Sequence, residues 1–138
     1  MAELDPEVRA LLKAPNFVHL ATLMPDGSPH SVAIWGDVDD TGHVVFFTQP
    51  NSRKAKNIEH NPRVALSVVD RANPYRTGRV RGRVVEVITG DAALKIIDHL
   101  SLGYTGAPFP MRSGQVYRVE VESSGLMALP FEDTPPVG

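Results

Sequence analysis

The sequence contains no cysteine. That excludes disulfide staples, Cys-ligated zinc or iron–sulfur centres and a cysteine nucleophile. It has no apolar run near the roughly 18 residues that a membrane-crossing helix requires. Neither sign of charge dominates: 14 Lys and Arg stand against 16 Asp and Glu, a formal charge of −2, so the basic excess typical of nucleic-acid binding is missing. The opening Met-Ala-Glu-Leu-Asp-Pro-Glu is acidic where a secretory leader is basic and then apolar. The expectation is a cytoplasmic protein with neither membrane nor nucleic acid among its partners.

Several common chemistries are also missing. No two of the 11 glycines stand two apart, so the G-x-G-x-x-G of a dinucleotide site is absent, as is the G-x-x-x-x-G-K of a phosphate loop. Gly78-Arg79-Val80-Arg81-Gly82 has the glycine spacing of a nucleophile elbow, but Val80 stands where serine is needed. His19, His30, His43, His60 and His99 form no helical i, i+4 pair. The expectation is therefore no metal site and no catalytic nucleophile.

What is present reads as one globular domain over residues 1–138, with 42% hydrophobic and 22% charged residues, the proportions of a chain that buries a core. Asp5 caps a first helix, Pro6 suits its first turn, and Val8, Leu11 and Leu12 share a face until Pro15-Asn16. Residues 17–23, 30–35 and 44–48 read as strands joined by Pro25-Asp26-Gly27 and Asp39-Asp40-Thr41-Gly42 turns. A helix follows over 52–61, then strands over 64–69 and 79–89, separated by a polar loop. Asp91 caps a second longer helix over 91–102, a loop covers 103–114, and Tyr117, Val119 and Val121 alternate with polar residues in a half-buried strand. A last short strand at 126–129 precedes a Pro-rich tail. Six or seven strands with short helices between them predict an α+β fold, mainly β: an antiparallel barrel or sandwich.

Two stretches carry candidate chemistry. Thr48-Gln49-Pro50-Asn51-Ser52-Arg53-Lys54-Ala55-Lys56-Asn57 lies where a strand hands over to a helix. Orphan N–H groups and the positive dipole end favour an anion there, whereas Arg53, Lys54 and Lys56 oppose the dipole of an unliganded helix. The alternatives are a bound phosphate or a solvated basic face. Arg79, Arg81 and Arg83 alternate with Val80, Gly82 and Val84, which places them on one strand face; they either pair with Glu120 and Glu122 or reach an anionic ligand through Arg79. Trp35, the only tryptophan, reads as core. Tyr75 stands in the polar loop, where an aromatic can cover a planar ligand.

The segments 17–23, Pro25 to His30, 32–35, Ser52 to Ile58, Asn61 to Ser67, Asn73-Pro74-Tyr75-Arg76 and Val80 to Val85, with Ile97-Asp98-His99-Leu100, Tyr104 and Gly106, resemble the pyridoxamine-phosphate-oxidase-like split β-barrel proteins. The nearest subgroup by resemblance is the class that uses the deazaflavin coenzyme F420. The resemblance spans roughly residues 8–122. It implies a split antiparallel β-barrel with short flanking helices, paired as a homodimer with two cofactor sites at the interface. By position, Ser52, Arg53, Lys54 and Lys56 would hold the cofactor phosphate, Ser31, Val32 and Ala33 would line the ring, and Thr48 and Gln49 would contact the ribityl chain or pyrimidine edge. Tyr75 and Arg79 would come from the partner subunit.

The chain departs from true pyridoxamine-phosphate oxidases in its C-terminal part, where residues 123–138 carry no basic motif for a substrate phosphate. The resulting expectation is an F420-dependent oxidoreductase that passes hydride to a small unsaturated or quinone-like molecule. The alternatives are an FMN-dependent oxidoreductase or a non-catalytic flavin or haem carrier, with His30 or His99 as the haem ligand. Water, Tyr75, His30 or His99 would supply a proton.

Overall fold

The computed structural model describes residues 2–131. It has three helices and seven strands in the order α1 (Pro6–Lys13), β1 (Val18–Leu23), β2 (Pro29–Ile34), β3 (Gly36–Val38), β4 (Val44–Thr48), α2 (Arg53–His60), β5 (Arg63–Val69), β6 (Arg76–Ile88), α3 (Gly90–Thr105) and β7 (Gln115–Ala128). All pairings are antiparallel, in the spatial order β2-β1-β5-β6-β7-β4-β3. The α+β, mainly β architecture expected from the sequence is present.

The first helix forms for local reasons. The Asp5 carboxylate accepts from the Glu7 and Val8 N–H groups, and Val8, Leu11 and Leu12 turn inward. They join Val18, Leu20, Phe46, Leu66, Val68, Val80, Val119 and Val121 in the main core. Strand β4 breaks the usual alternation, with Val44, Val45 and Phe46 all buried. One of its faces meets that core, while Val45 joins Ala93, Ile97 and Val116 beneath α3. A strand covered on both faces reads as a continuous apolar run.

Four boundaries differ from the sequence reading. Strand β2 stops at Ile34, and a separate strand, Gly36–Val38, follows Trp35. Gly and Asp disfavour extended structure; pairing with β4 holds this one, and the Gly36 N–H donates to Tyr104 Oη. Helix α3 runs past Gly103 to Thr105, ending where Gly106 adopts φ 78°. Its N-cap is Thr89 rather than Asp91, which sits in the first turn. Strands β6 and β7 are longer than expected, because Arg76, Thr77 and Gly78 pair with Ala128, Met127 and Leu126. The Pro-rich tail beyond Phe131 lies outside the described residues.

Candidate functional site

A cleft of about 360 Å³ opens beside the β4–α2 junction, lined on one side by Ala33, Thr48, Gln49 and Lys54. Phe17, Ile34, Trp35, Phe47, Phe109 and Met111 line the rest. Four residues named from the sequence thus meet in one place, delivered by β2, the end of β4 and the first turn of α2.

Helix α2 starts at this cleft because Ser52 caps it: its hydroxyl accepts from the Ala55 N–H at 3.2 Å and meets Thr48 Oγ1 at 3.0 Å. Asn57 docks the same helix on β1, donating to Thr22 Oγ1 at 3.0 Å. Lys54 is half-buried at the cleft wall, and burial holds its ammonium pKa below the ordinary value. Among the described residues it has no acidic partner, and it is the only ionisable side chain lining the cleft.

The remaining candidates are placed differently. Ser31 is exposed on β2 outside the lining, and the Val32 side chain packs on the barrel core, so of this trio only Ala33 lines the cleft. Arg53 and Lys56 are exposed on α2. Gln49 pairs with Ser113, donating from Nε2 to its carbonyl at 3.0 Å and accepting from its hydroxyl at 2.9 Å. Tyr75 packs on Phe131 with ring centroids 5.4 Å apart, away from the cleft. The Arg79 guanidinium lies over Gly125, with no acidic partner among the described residues. His99 is exposed and stands 3.6 Å from Asp37, and neither it nor His30 lines the cleft.

The sequence reading missed the aromatic wall. Trp35, assigned there to the core, is half-exposed in the cleft. Its ring stacks on Tyr104 and meets Phe47 and Phe109 edge-on at 6.0 and 6.2 Å. Tyr104 is held by donating to the Asn16 carbonyl at 2.5 Å. Burial raises its phenol pKa, so it stays a neutral donor. Aromatics at 17, 35, 47, 104 and 109 share no local period, so spacing alone carried no signal for this wall.

The family profile described as pyridoxamine 5'-phosphate oxidase matches residues 4–123. The chain belongs to this family. Its barrel is the split barrel of pyridoxamine 5'-phosphate oxidase-like proteins. Pyridoxine/pyridoxamine 5'-phosphate oxidase from Trichormus variabilis is 42% identical over 84 residues, 60% of this chain and 38% of that protein. The corresponding Rubrobacter xylanophilus oxidase is 44% identical over 62 residues, 45% of this chain and 29% of that protein. Against such oxidases the chain thus matches about two-fifths of their length or less. A solved F420 reductase superposes with a TM-score of 0.78 at 31% identity, covering 88% of this chain and 98% of that one. A conserved hypothetical protein from Mycobacterium tuberculosis shares the fold, with a TM-score of 0.77 at 22% identity, covering 99% of this chain and 95% of that one. Among the described residues no helix is long and apolar enough to cross a membrane.

Proposed function

We propose that this member of the oxidoreductase family binds the deazaflavin F420 in the Trp35–Lys54 cleft and reduces a small unsaturated or quinone-like molecule there. The observation that carries the reading is Lys54, which among the described residues is the one cation this chain brings to the cleft and has no acidic partner, half-buried beside the N-terminus of α2. An unpartnered ammonium at a helix N-terminus matches a phosphate in charge and donors. Thr48 and Ser52 add hydroxyls at the same junction. Arg53 and Lys56, exposed on the same helix, surround that end with positive potential. The backbone of Ser31, Val32 and Ala33 forms the strand beside which the ring would lie, and Gln49 stands at the polar edge.

When bound, the deazaflavin supplies the hydride chemistry. The chain's own work is to hold the phosphate, orient the ring and exclude water with Trp35, Phe47 and Phe109. No nucleophile is required of it. Among the described residues this chain lines the cleft with no acid or histidine, which leaves solvent at the cleft mouth or a partner tyrosine as the proton source for the product. F420 is favoured over FMN by the match to nearly the whole of an F420 reductase, against a partial match to the longer oxidases.

A homodimer fits the same reading. Cross-strand partners form an outward row, Ala33–His19–Ser67–Arg79–Gly125. Arg79 lies three strand spacings, about 14 Å, from Ala33. A two-fold axis lying over this sheet face, between His19 and Ser67, sets one subunit's Arg79 against its partner's Ala33, and Tyr75 travels with it.

The test is fluorescence titration of the purified protein with F420 and with FMN. Lys54→Ala is expected to weaken binding roughly ten- to a hundredfold, the loss of one charge-assisted contact, with the melting temperature nearly unchanged. An unaltered dissociation constant would remove this cleft from consideration as the phosphate site. Stopped-flow mixing of reduced F420 with quinones separates an enzyme from a carrier.

A further inference from the structure

Beside the outward row Ala33–His19–Ser67–Arg79–Gly125 runs a second, Ser31–Ala21–Ala65–Arg81–Ser123. Neither contains an acidic residue. In the homodimer proposed above, on which this inference rests, Arg79 stands against the partner's Ala33, and the second row sets Arg81 against the partner's Ser31. The long side chains of β6 thus meet short ones of β2, and neither guanidinium faces another cation. Within its own chain the Arg79 guanidinium lies across β7, over Gly125, and a Cβ added to that glycine would collide with it. Gly125 takes no positive φ, so no backbone turn calls for glycine here. A glycine inside a strand costs stability and marks a close approach; what approaches is Arg79. Strand β2 ends the sheet, and the cleft lies between it and β4. Gly125 stands one strand further out than Arg79, which brings it past the partner's Ala33 and over the partner's cleft. By lying across Gly125, the guanidinium reaches the roof of that cleft.

We propose that Gly125 is a positioning residue that lays Arg79 over the partner's cleft, and that Arg79 there binds the carboxylate of a flat acceptor. A guanidinium covered by a second subunit needs a counter-charge. Arg79 has no acidic partner among the described residues, and the cleft lining offers no carboxylate. The ligands therefore supply it. The cofactor phosphate is taken by Lys54 at the α2 end of the cleft. The carboxylates of F420 lie beyond that phosphate, away from the ring, and FMN has none. The anion beside the ring strand is thus the acceptor's, and a planar carboxylate matches the parallel donors of a guanidinium. The aromatic wall suits the rest of a planar body. The acceptor class narrows to flat unsaturated acids.

The experiment uses the whole chain saturated with oxidised F420 or FMN, so that Lys54 is occupied and no hydride is transferred. Calorimetric titration compares trans-cinnamate with trans-cinnamamide, flat molecules of one shape that differ in charge. Wild type should bind the acid at least about tenfold more tightly than the amide. Arg79→Met and Gly125→Ala should each erase that preference, with amide and cofactor affinities within about twofold of wild type. Arg79→Lys, which keeps the charge without the paired donors, should retain part of it. In an Arg79→Met background Gly125→Ala should change nothing further, because its effect runs through Arg79; a purely structural glycine would add its loss in both backgrounds. Co-expressed Arg79→Met and Lys54→Ala chains should recover acid-selective, cofactor-loaded clefts. In the mixed dimer the cleft with intact Lys54 meets the other chain's intact Arg79. Equal affinity for acid and amide alongside Lys54-dependent cofactor binding overturns this proposal alone, as does an unchanged preference in Gly125→Ala or no recovery in the mixed dimer. If Arg79→Met instead weakens cofactor binding about tenfold, the anion is the cofactor's and the proposal is overturned. If neither cofactor binds the wild type, the cofactor reading of the cleft falls, and this proposal with it.

Discussion

Trp35 lies flat on Tyr104, with ring centroids 5.1 Å apart and planes 11° from parallel. The tyrosine comes from the last turn of α3 and the tryptophan from the corner between β2 and β3. Their stack joins the outer helix to the cleft wall. Tyr104→Phe keeps the stack but strands the Gly36 N–H and the Asn16 carbonyl, both bonded to the phenol. Urea unfolding should show a loss of about 1–3 kcal/mol. Tyr104→Leu should cost a further 0.5–1.5 kcal/mol or so and also shift Trp35 emission. A Phe variant as stable as wild type would show that the phenol's bonds contribute nothing.

Asn57 and Thr22 form a buried pair between α2 and β1, and the Asn57 Oδ1 atom has no partner among the described residues. Either single change, Thr22→Val or Asn57→Leu, leaves one buried polar group stranded, at a cost of about 1–3 kcal/mol. The double variant removes both and should recover most of that loss. A double-mutant cycle by chemical denaturation measures the coupling; simple additivity would contradict it.

Acid should loosen the β3–β4 turn. Burial raises the Asp39 pKa, but bonds from Thr41, Arg118 and the His43 N–H outweigh it and hold the carboxylate below its ordinary 3.8. A carboxylate depressed in the folded state contributes stability above its unfolded pKa and loses it as pH falls through the folded value. The loss therefore begins near about pH 4 and grows below it. Thermal melts between about pH 2 and 6 should show a shallower acid limb for Asp39→Asn than for wild type. Identical limbs would place the acid sensitivity elsewhere.

Light scattering should give twice the 15.0 kDa of one chain. Ser67 stands in the middle of the Ala33–Arg79 row, beside the two-fold axis of the proposed homodimer. Ser67→Arg adds a further cation facing its own copy and should shift the equilibrium to monomer while weakening cofactor binding. A variant that stays dimeric would move the interface off this sheet face.

Much of this architecture was legible because local chemistry settles it. The Asp5 cap with Pro6, the Pro25-Asp26-Gly27 turn and the alternation of Tyr117, Val119 and Val121 each act over a few residues, and the observed elements begin, turn or face inward as those residues dictate. The placement of Thr48, Gln49 and Lys54 at one strand-to-helix junction was equally readable, since ten consecutive residues span it.

The cleft itself was decided by tertiary structure. Phe17, Trp35, Phe47, Tyr104 and Phe109 come from separate segments, and the Tyr104 bonds to Gly36 and Asn16 bridge 68 and 88 residues of chain. An aromatic side chain obeys the same local propensities whether it ends in a core or half-open beside a ligand. Which outcome it meets depends on the neighbours that distant strands bring to it. The same holds for Gln49, whose amide the sequence offers to any partner in reach; the fold brings it Ser113, because β4 pairs with β7 and so carries the residues just before β7 to its side.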